Sequence, residues 1–137
     1  MTSNQSSIVI ELRYGEKSFL FMGDYEFLKD KYNNVENTYY KEVIWNKVDL
    51  VKVAHHGSTS ALIEGFYKST LPEYAVISAG TSSSQNNPDE KVLQAIETES
   101  HLTKIFITKR DETIMIESDG ITVFYPEFIN KKFDGNM

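Results

Sequence analysis

Ile8, Ile10, Leu12 and Tyr14 alternate with Val9, Glu11 and Arg13, and this period of two predicts a half-buried strand over residues 8–14. Gly15 to Lys17 then predicts a tight turn into a second strand over 18–22, hence a hairpin that ends at Gly23-Asp24. Tyr25, Leu28 and Tyr32 at helical spacing predict a short amphipathic helix over 25–32, and 39–46 a second helical piece. Residues 50–54 form a short apolar strand broken by Lys52, which runs into His55-His56-Gly57-Ser58. Ser58, Thr59 and Ser60 all qualify as N-caps of a helix carrying Leu62, Ile63, Phe66 and Tyr67 on one side, with Pro72 past its end.

The continuously apolar stretch 74–78 predicts a strand buried on both faces. Asn87-Pro88-Asp89-Glu90 reads as an N-cap asparagine, a proline at the first helical position and a glutamate at the third, opening a helix with Val92, Leu93 and Ile96 inward. Strands over 104–108 and 113–118 follow, and Asp119-Gly120 turns the chain into a last strand over 121–125. Residues 126–137 are charged and predict a loose tail. The order β-β-α-β-α-β-α-β-β-β predicts an α/β (α+β) layered fold, one domain over residues 1–125 followed by the tail 126–137.

At 137 residues and 40% hydrophobic, with 8 Tyr, 8 Phe and 1 Trp, the chain has material for one real core and is not disordered throughout. A net charge of −6 repels phosphate backbones, which disfavours a general nucleic-acid binder. The absence of cysteine excludes disulfides, thiol chemistry and thiolate zinc sites. No long apolar run occurs and residues 1–7 are polar, so a cytoplasmic protein without a membrane segment is expected; a secreted domain cut from a longer chain would look the same.

Two strand ends carry polar residues that a core does not require. Gly23-Asp24 places a carboxylate at the end of one, and His55-His56 places two imidazoles at the end of another. A carboxylate and a neutral imidazole at neighbouring strand ends suit a divalent metal. Plainer explanations stand beside that one: Gly-Asp is ordinary turn or N-cap chemistry, and paired histidines commonly serve as hydrogen-bonding groups. Adjacent side chains diverge in an extended segment, so at most one of the two histidines would reach a metal touched by Asp24. His101 reads as a surface residue.

Residues 4–9, the stretch Phe19-Leu20-Phe21-Met22-Gly23-Asp24, the stretch 49–58 ending in His55-His56-Gly57-Ser58, and residues 72–80 ending in Ser78-Ala79-Gly80 together resemble one family. They look like the carboxyl-terminal half of a metallo-β-lactamase-fold hydrolase, nearest to the nuclease-like domain of the DNA-uptake competence proteins. The resemblance covers roughly residues 4–125 and implies half of an αββα sandwich, a mixed sheet with helices on one face. It implies that Asp24 is the carboxylate bridging two metals and that His56 (or His55) is a further metal ligand. Ser58 and Asn87 are implied to lie just behind the ligands. Where that branch has His-Pro, this chain has Asn87-Pro88.

The family's main metal motif, His-x-His-x-Asp-His, is absent. The implied cofactor is a divalent metal, zinc or manganese, whose ligand set is incomplete here, since a two-metal site takes about six protein ligands. Three readings follow: a partial hydrolase acting on a phosphodiester or related ester, a non-catalytic module for binding or assembly, and a half-domain that pairs with itself. The partner is accordingly a missing amino-terminal half-domain or a second copy, and nucleic acid enters only as a substrate of the completed domain. Half a sandwich also leaves one sheet face bare, to be covered by a partner or by the hairpin over 113–125.

Overall fold

The computed structural model describes residues 3–27, 45–81 and 86–125. The helix expected over 25–32 lies outside them beyond Phe27, and residues 25–27 have no regular structure. The piece expected over 39–46 lies outside them up to residue 44, and the tail 126–137 does so entirely.

A five-stranded sheet in the order β1-β2-β3-β4-β5 organises the rest. Its strands are β1 (Ile10–Tyr14), β2 (Lys17–Phe21), β3 (Leu50–Lys52), β4 (Tyr74–Ile77) and β5 (Lys104–Ile107). β1 is antiparallel to β2, and β2 to β5 run parallel, which makes the sheet mixed, as expected. The β1–β2 turn is the two residues Gly15-Glu16, since Tyr14 pairs with Lys17. Gly15 holds φ +59°, the conformation such a turn needs at its first position, and a Cβ there would run into the Gly120 carbonyl.

One face of the sheet carries Leu20, Val51, Ala75, Ile77 and Ile107, all buried. Helices α1 (Phe66–Thr70) and α2 (Glu90–Glu99) pack there through Phe66, Tyr67, Val92 and Ile96. Each of the leucine, valine and isoleucine side chains contributes about 1.5–3 kcal/mol by leaving water. Glu99 at the end of α2 accepts the backbone N–H groups of Gly65, Tyr67 and Lys68 at 2.8, 2.9 and 3.3 Å, satisfying the start of α1.

Two helix starts differ from expectation. The single helix opening near Ser60 is instead a 3₁₀ turn, Thr59–Ala61, capped by Ser58; Leu62 is extended and Gly65 left-handed before α1 begins. The N-cap of α2 is Asp89, whose carboxylate accepts the Lys91 N–H at 2.9 Å, and not Asn87. Pro88 therefore precedes the cap rather than opening the helix, because a carboxylate one residue downstream is the stronger acceptor for the first free N–H groups.

A short helix α3 (Thr108–Asp111) follows β5, and a two-stranded hairpin pairs β6 (Glu117–Ser118) with β7 (Val123–Phe124). Both strands are shorter than expected. The connection spans 119–122, held by Asp119 Oδ1 accepting the Ile121 and Thr122 N–H groups, so Asp119-Gly120 is only half of the turn. The hairpin region packs on the second sheet face, where Val123 buries Leu50 and Tyr74 beside Phe106 and Ile116.

That cover thins toward β1: it reaches Phe19 on β2, and the turn at Gly120 touches Gly15 and Tyr14, but the rest of β1 lies outside it. Ile10, Leu12 and Tyr14 share the second face with Phe19 and Phe21 by register, yet they are 54%, 52% and 55% exposed. The strand expected to be half-buried is exposed at every residue. Its apolar side points away from the helices, and its helix-side residues are Glu11 and Arg13.

Asp49 binds the opposite end of the sheet together. Its carboxylate accepts Lys17 Nζ and the Ser18 N–H, both at 2.9 Å, while its carbonyl accepts the Glu73 and Tyr74 N–H groups. Burial pushes its pKa up, but the Ser18 N–H and the Lys17 ammonium outweigh that, leaving it below the ordinary 3.8. The contribution is present above that ordinary value and is lost as pH falls through the lower folded value. Asp49→Asn is expected to cost roughly 1–2 kcal/mol at neutral pH. In urea melts across pH, the gap between wild type and variant should close as pH drops below 3.8.

Candidate functional site

The carboxyl ends of parallel strands share one sheet edge, so the segments after β2, β3 and β4 converge there. Gly23-Asp24 follows β2, His55-His56-Gly57 follows β3 after Val53-Ala54, and Ser78 follows β4. The His55 N–H donates to the Gly23 carbonyl at 3.0 Å, joining the first two segments. Thr108 Oγ1, at the start of α3, lies 2.9 Å from the Ala79 nitrogen and 3.0 Å from its carbonyl oxygen, which holds the third.

The histidine segment is not extended. His55 (φ 45°, ψ 48°), His56 (φ 56°, ψ 20°) and Gly57 (φ 79°) are left-handed in succession. For the two histidines this costs roughly 1–2 kcal/mol each. It also sends the rings in different directions, with centroids 6.0 Å apart. Gly57 closes the turn against α2, its carbonyl accepting the Asp89 N–H at 2.9 Å.

His56 turns toward Asp24. Its Nδ1 lies 2.7 Å from the Ser78 carbonyl oxygen, an acceptor only, so the ring donates there and Nε2 is left free to accept. Nε2 stands 3.3 Å from Asp24 Oδ1, and both side chains are about half exposed at 48%. A carboxylate oxygen and an unprotonated ring nitrogen both present lone pairs, so this contact calls for a cation between or beside them, a proton or a metal ion. A backbone carbonyl fixing Nδ1 is also what orients a metal-ligating imidazole.

His55 turns inward. Its Nδ1 is 2.8 Å from Glu26 Oε1 and 3.2 Å from Ser60 Oγ, and the Ser60 hydroxyl donates to the same carboxylate oxygen at 2.9 Å. Its Nε2 faces the Asn4 amide at 3.5 Å. Ser58 Oγ stands 3.0 Å from Ser60 Oγ, which places Ser58 at the back of this network. The network borders an open polar cavity of about 520 Å³ whose far wall includes Asn87 and Asp89. The Asn87 carbonyl accepts Lys109 Nζ at 2.7 Å. Lys52 sits close by, its ammonium pushed down by burial and partly restored by the Asp24 charge.

Asp24 and His56 thus come together, Ser58 belongs with His55, and Asn87 lines the neighbouring cavity. Glu26 is the functional neighbour that the sequence hid. It fell within the expected helix over 25–32, and the alternation Asp24-x-Glu26 just past a strand end was the available signal. His101 is exposed.

As a metal centre the donors fit in kind but not in number. Among the described residues no three His, Cys, Asp or Glu side chains gather where an ion could sit. Asp24 and His56 would offer an ion two donors at most.

The sequence is 33% identical over 113 residues to ComE operon protein 3 of Bacillus subtilis (strain 168), covering 82% of this chain and 14% of that protein. The chain is related to a competence-operon protein. It spans about one-seventh of that relative's length. No protein-family model matches the sequence. The competence-protein part of the resemblance is thereby supported. Among the described residues no helix is long and apolar enough to cross a membrane.

Two outcomes test this geometry. Gly57→Ala puts a Cβ 2.6 Å from Pro88 Cβ at φ +79°, and should lower Tm by roughly 10 °C in a calorimetric scan. His56→Gly relieves a left-handed backbone at a half-exposed position, and should be about 1 kcal/mol more stable than His56→Ala in denaturant titration.

Proposed function

We propose that this chain supplies the second-half ligands of a two-metal hydrolytic site of metallo-β-lactamase type, acting on a phosphodiester or related ester. The single observation behind this reading is the His56 Nε2 to Asp24 Oδ1 contact of 3.3 Å, with Nδ1 already committed to the Ser78 carbonyl. Zinc or manganese bound there would polarise the ester and activate water. This chain's own residues have definite tasks: Asp24 supplies charge, His56 a fixed nitrogen lone pair, and Ser78 holds the ring. His55, locked between Glu26, Ser60 and Asn4, shapes the neighbouring polar cavity.

The remaining ligands would come from an amino-terminal half-domain that carries the His-rich motif. The exposed apolar Ile10, Leu12, Tyr14 and Phe21 favour such a covering layer, since an open face of that kind is unusual on a finished domain. Nucleic acid would then be a substrate of the completed domain, in keeping with a chain whose own charge of −6 repels it. A cytoplasmic location belongs to the same proposal. The shortage of ligands among the described residues favours the second reading, a non-catalytic module for binding or assembly.

The isolated chain should show no appreciable phosphodiesterase activity with added zinc or manganese, because two ligands neither hold an ion firmly nor tune its water. Supplying the segment that carries the His-rich motif should produce turnover that Asp24→Ala and His56→Ala abolish. Turnover indifferent to both substitutions, or a reconstituted domain that binds metal but turns nothing over, would favour the non-catalytic module.

A further inference from the structure

We infer that the outer edge of β1 is an assembly surface for a second copy of this chain, the two β1 strands pairing antiparallel about a two-fold axis at Leu12. This goes beyond the proposed function, and its test reads assembly alone. β1 ends the sheet order, and among the described residues no strand lies beyond it. All five of its residues are exposed. An uncovered edge strand of alternating apolar residues is a template for strand pairing.

The backbone sets which residues can pair outward. With a two-residue turn, the closing pair Tyr14↔Lys17 exchanges hydrogen bonds within the hairpin, as do the pairs of Leu12 and Ile10. Glu11 and Arg13 therefore direct their N–H and C=O groups away from β2. A partner strand must hydrogen-bond through those two residues.

Charge then selects the register. Antiparallel pairing centred on Leu12 sets each Glu11 opposite the partner copy's Arg13, with Leu12 against Leu12 and Ile10 against Tyr14. Sliding the centre one residue toward Glu11 sets glutamate against glutamate, and sliding it toward Arg13 sets arginine against arginine. Opposite charges directly across a pair are favourable and like charges unfavourable, so only the Leu12-centred register is supported. Within one chain Glu11 and Arg13 already meet at 2.9 Å, but with Arg13 69% exposed that contact stabilises little and is readily exchanged. The pairing also doubles the apolar strip, since both copies present Ile10, Leu12 and Tyr14 on the same face of the joined sheet.

The experiment uses the 137-residue chain. Sedimentation velocity over a range of about 5–200 µM should show a monomer–dimer equilibrium in the micromolar range. Glu11→Arg sets arginine against arginine at both symmetric positions, and Arg13→Glu sets glutamate against glutamate. Each variant alone should dimerise at least tenfold more weakly. Mixed one to one, they should form a heterodimer about as tight as the original homodimer, because the paired arginines of one variant then face the paired glutamates of the other. Circular dichroism of each variant confirms folding. A wild-type chain that stays monomeric throughout, a dimer untouched by either reversal, or two weakened variants that fail to recover on mixing would each overturn the inference.

Discussion

The hydrogen bond from the His55 N–H to the Gly23 carbonyl is the constraint on which the site depends. It joins the segments that leave two neighbouring parallel strands, at the point where both chains turn out of the sheet. Strand pairing alone would bring Asp24 and the histidines to one edge. This bond, followed by three left-handed residues, decides which ring faces the carboxylate and which faces inward. The division of labour between adjacent histidines is therefore a backbone property. The side chains are chemically identical, and only their φ and ψ differ from what an extended segment would give.

Backbone strain and buried polar contacts support each other here. A left-handed His55 would be a liability on an exposed loop, but its ring gains Glu26, Ser60 and Asn4 as partners in a part-buried setting. His56 has fewer such returns, a carbonyl behind it and a half-exposed carboxylate before it. Strain with little structural return is what the ligand role proposed for His56 would account for.

The parallel strands were legible from their short apolar runs, and the edge shared by Asp24 and His56 followed from the strand-end positions of Gly23-Asp24 and His55-His56. The helix starts were less legible. Asn87, Asp89, Ser58, Thr59 and Ser60 are all capping residue types, and sequence alone does not rank neighbours whose choice depends on which N–H groups the packed chain leaves free. The alternation in β1 predicts the strand but not its exposure. Periodicity reports that a strand has an apolar side, and it carries no information on whether the cover for that side lies in the same chain. Glu26 left only the Asp24-x-Glu26 alternation as a trace in the sequence, because its contacts with His55 and Ser60 arise only when the histidine segment folds back across it.

The grip of Glu99 on the start of α1 has a consequence for the order in which the molecule assembles. A helix as short as Phe66–Thr70 has no stability alone, because its nucleation cost is never recovered over one turn. Its free N–H groups at Gly65, Tyr67 and Lys68 are satisfied by a carboxylate from the far end of α2. That carboxylate is in place only after α2 has formed and docked, and α2 lies later in the chain. During synthesis the ribosome therefore delivers α1 before it delivers the residue that makes α1 a helix. The layer over the sheet is completed in the reverse of the order in which it is made.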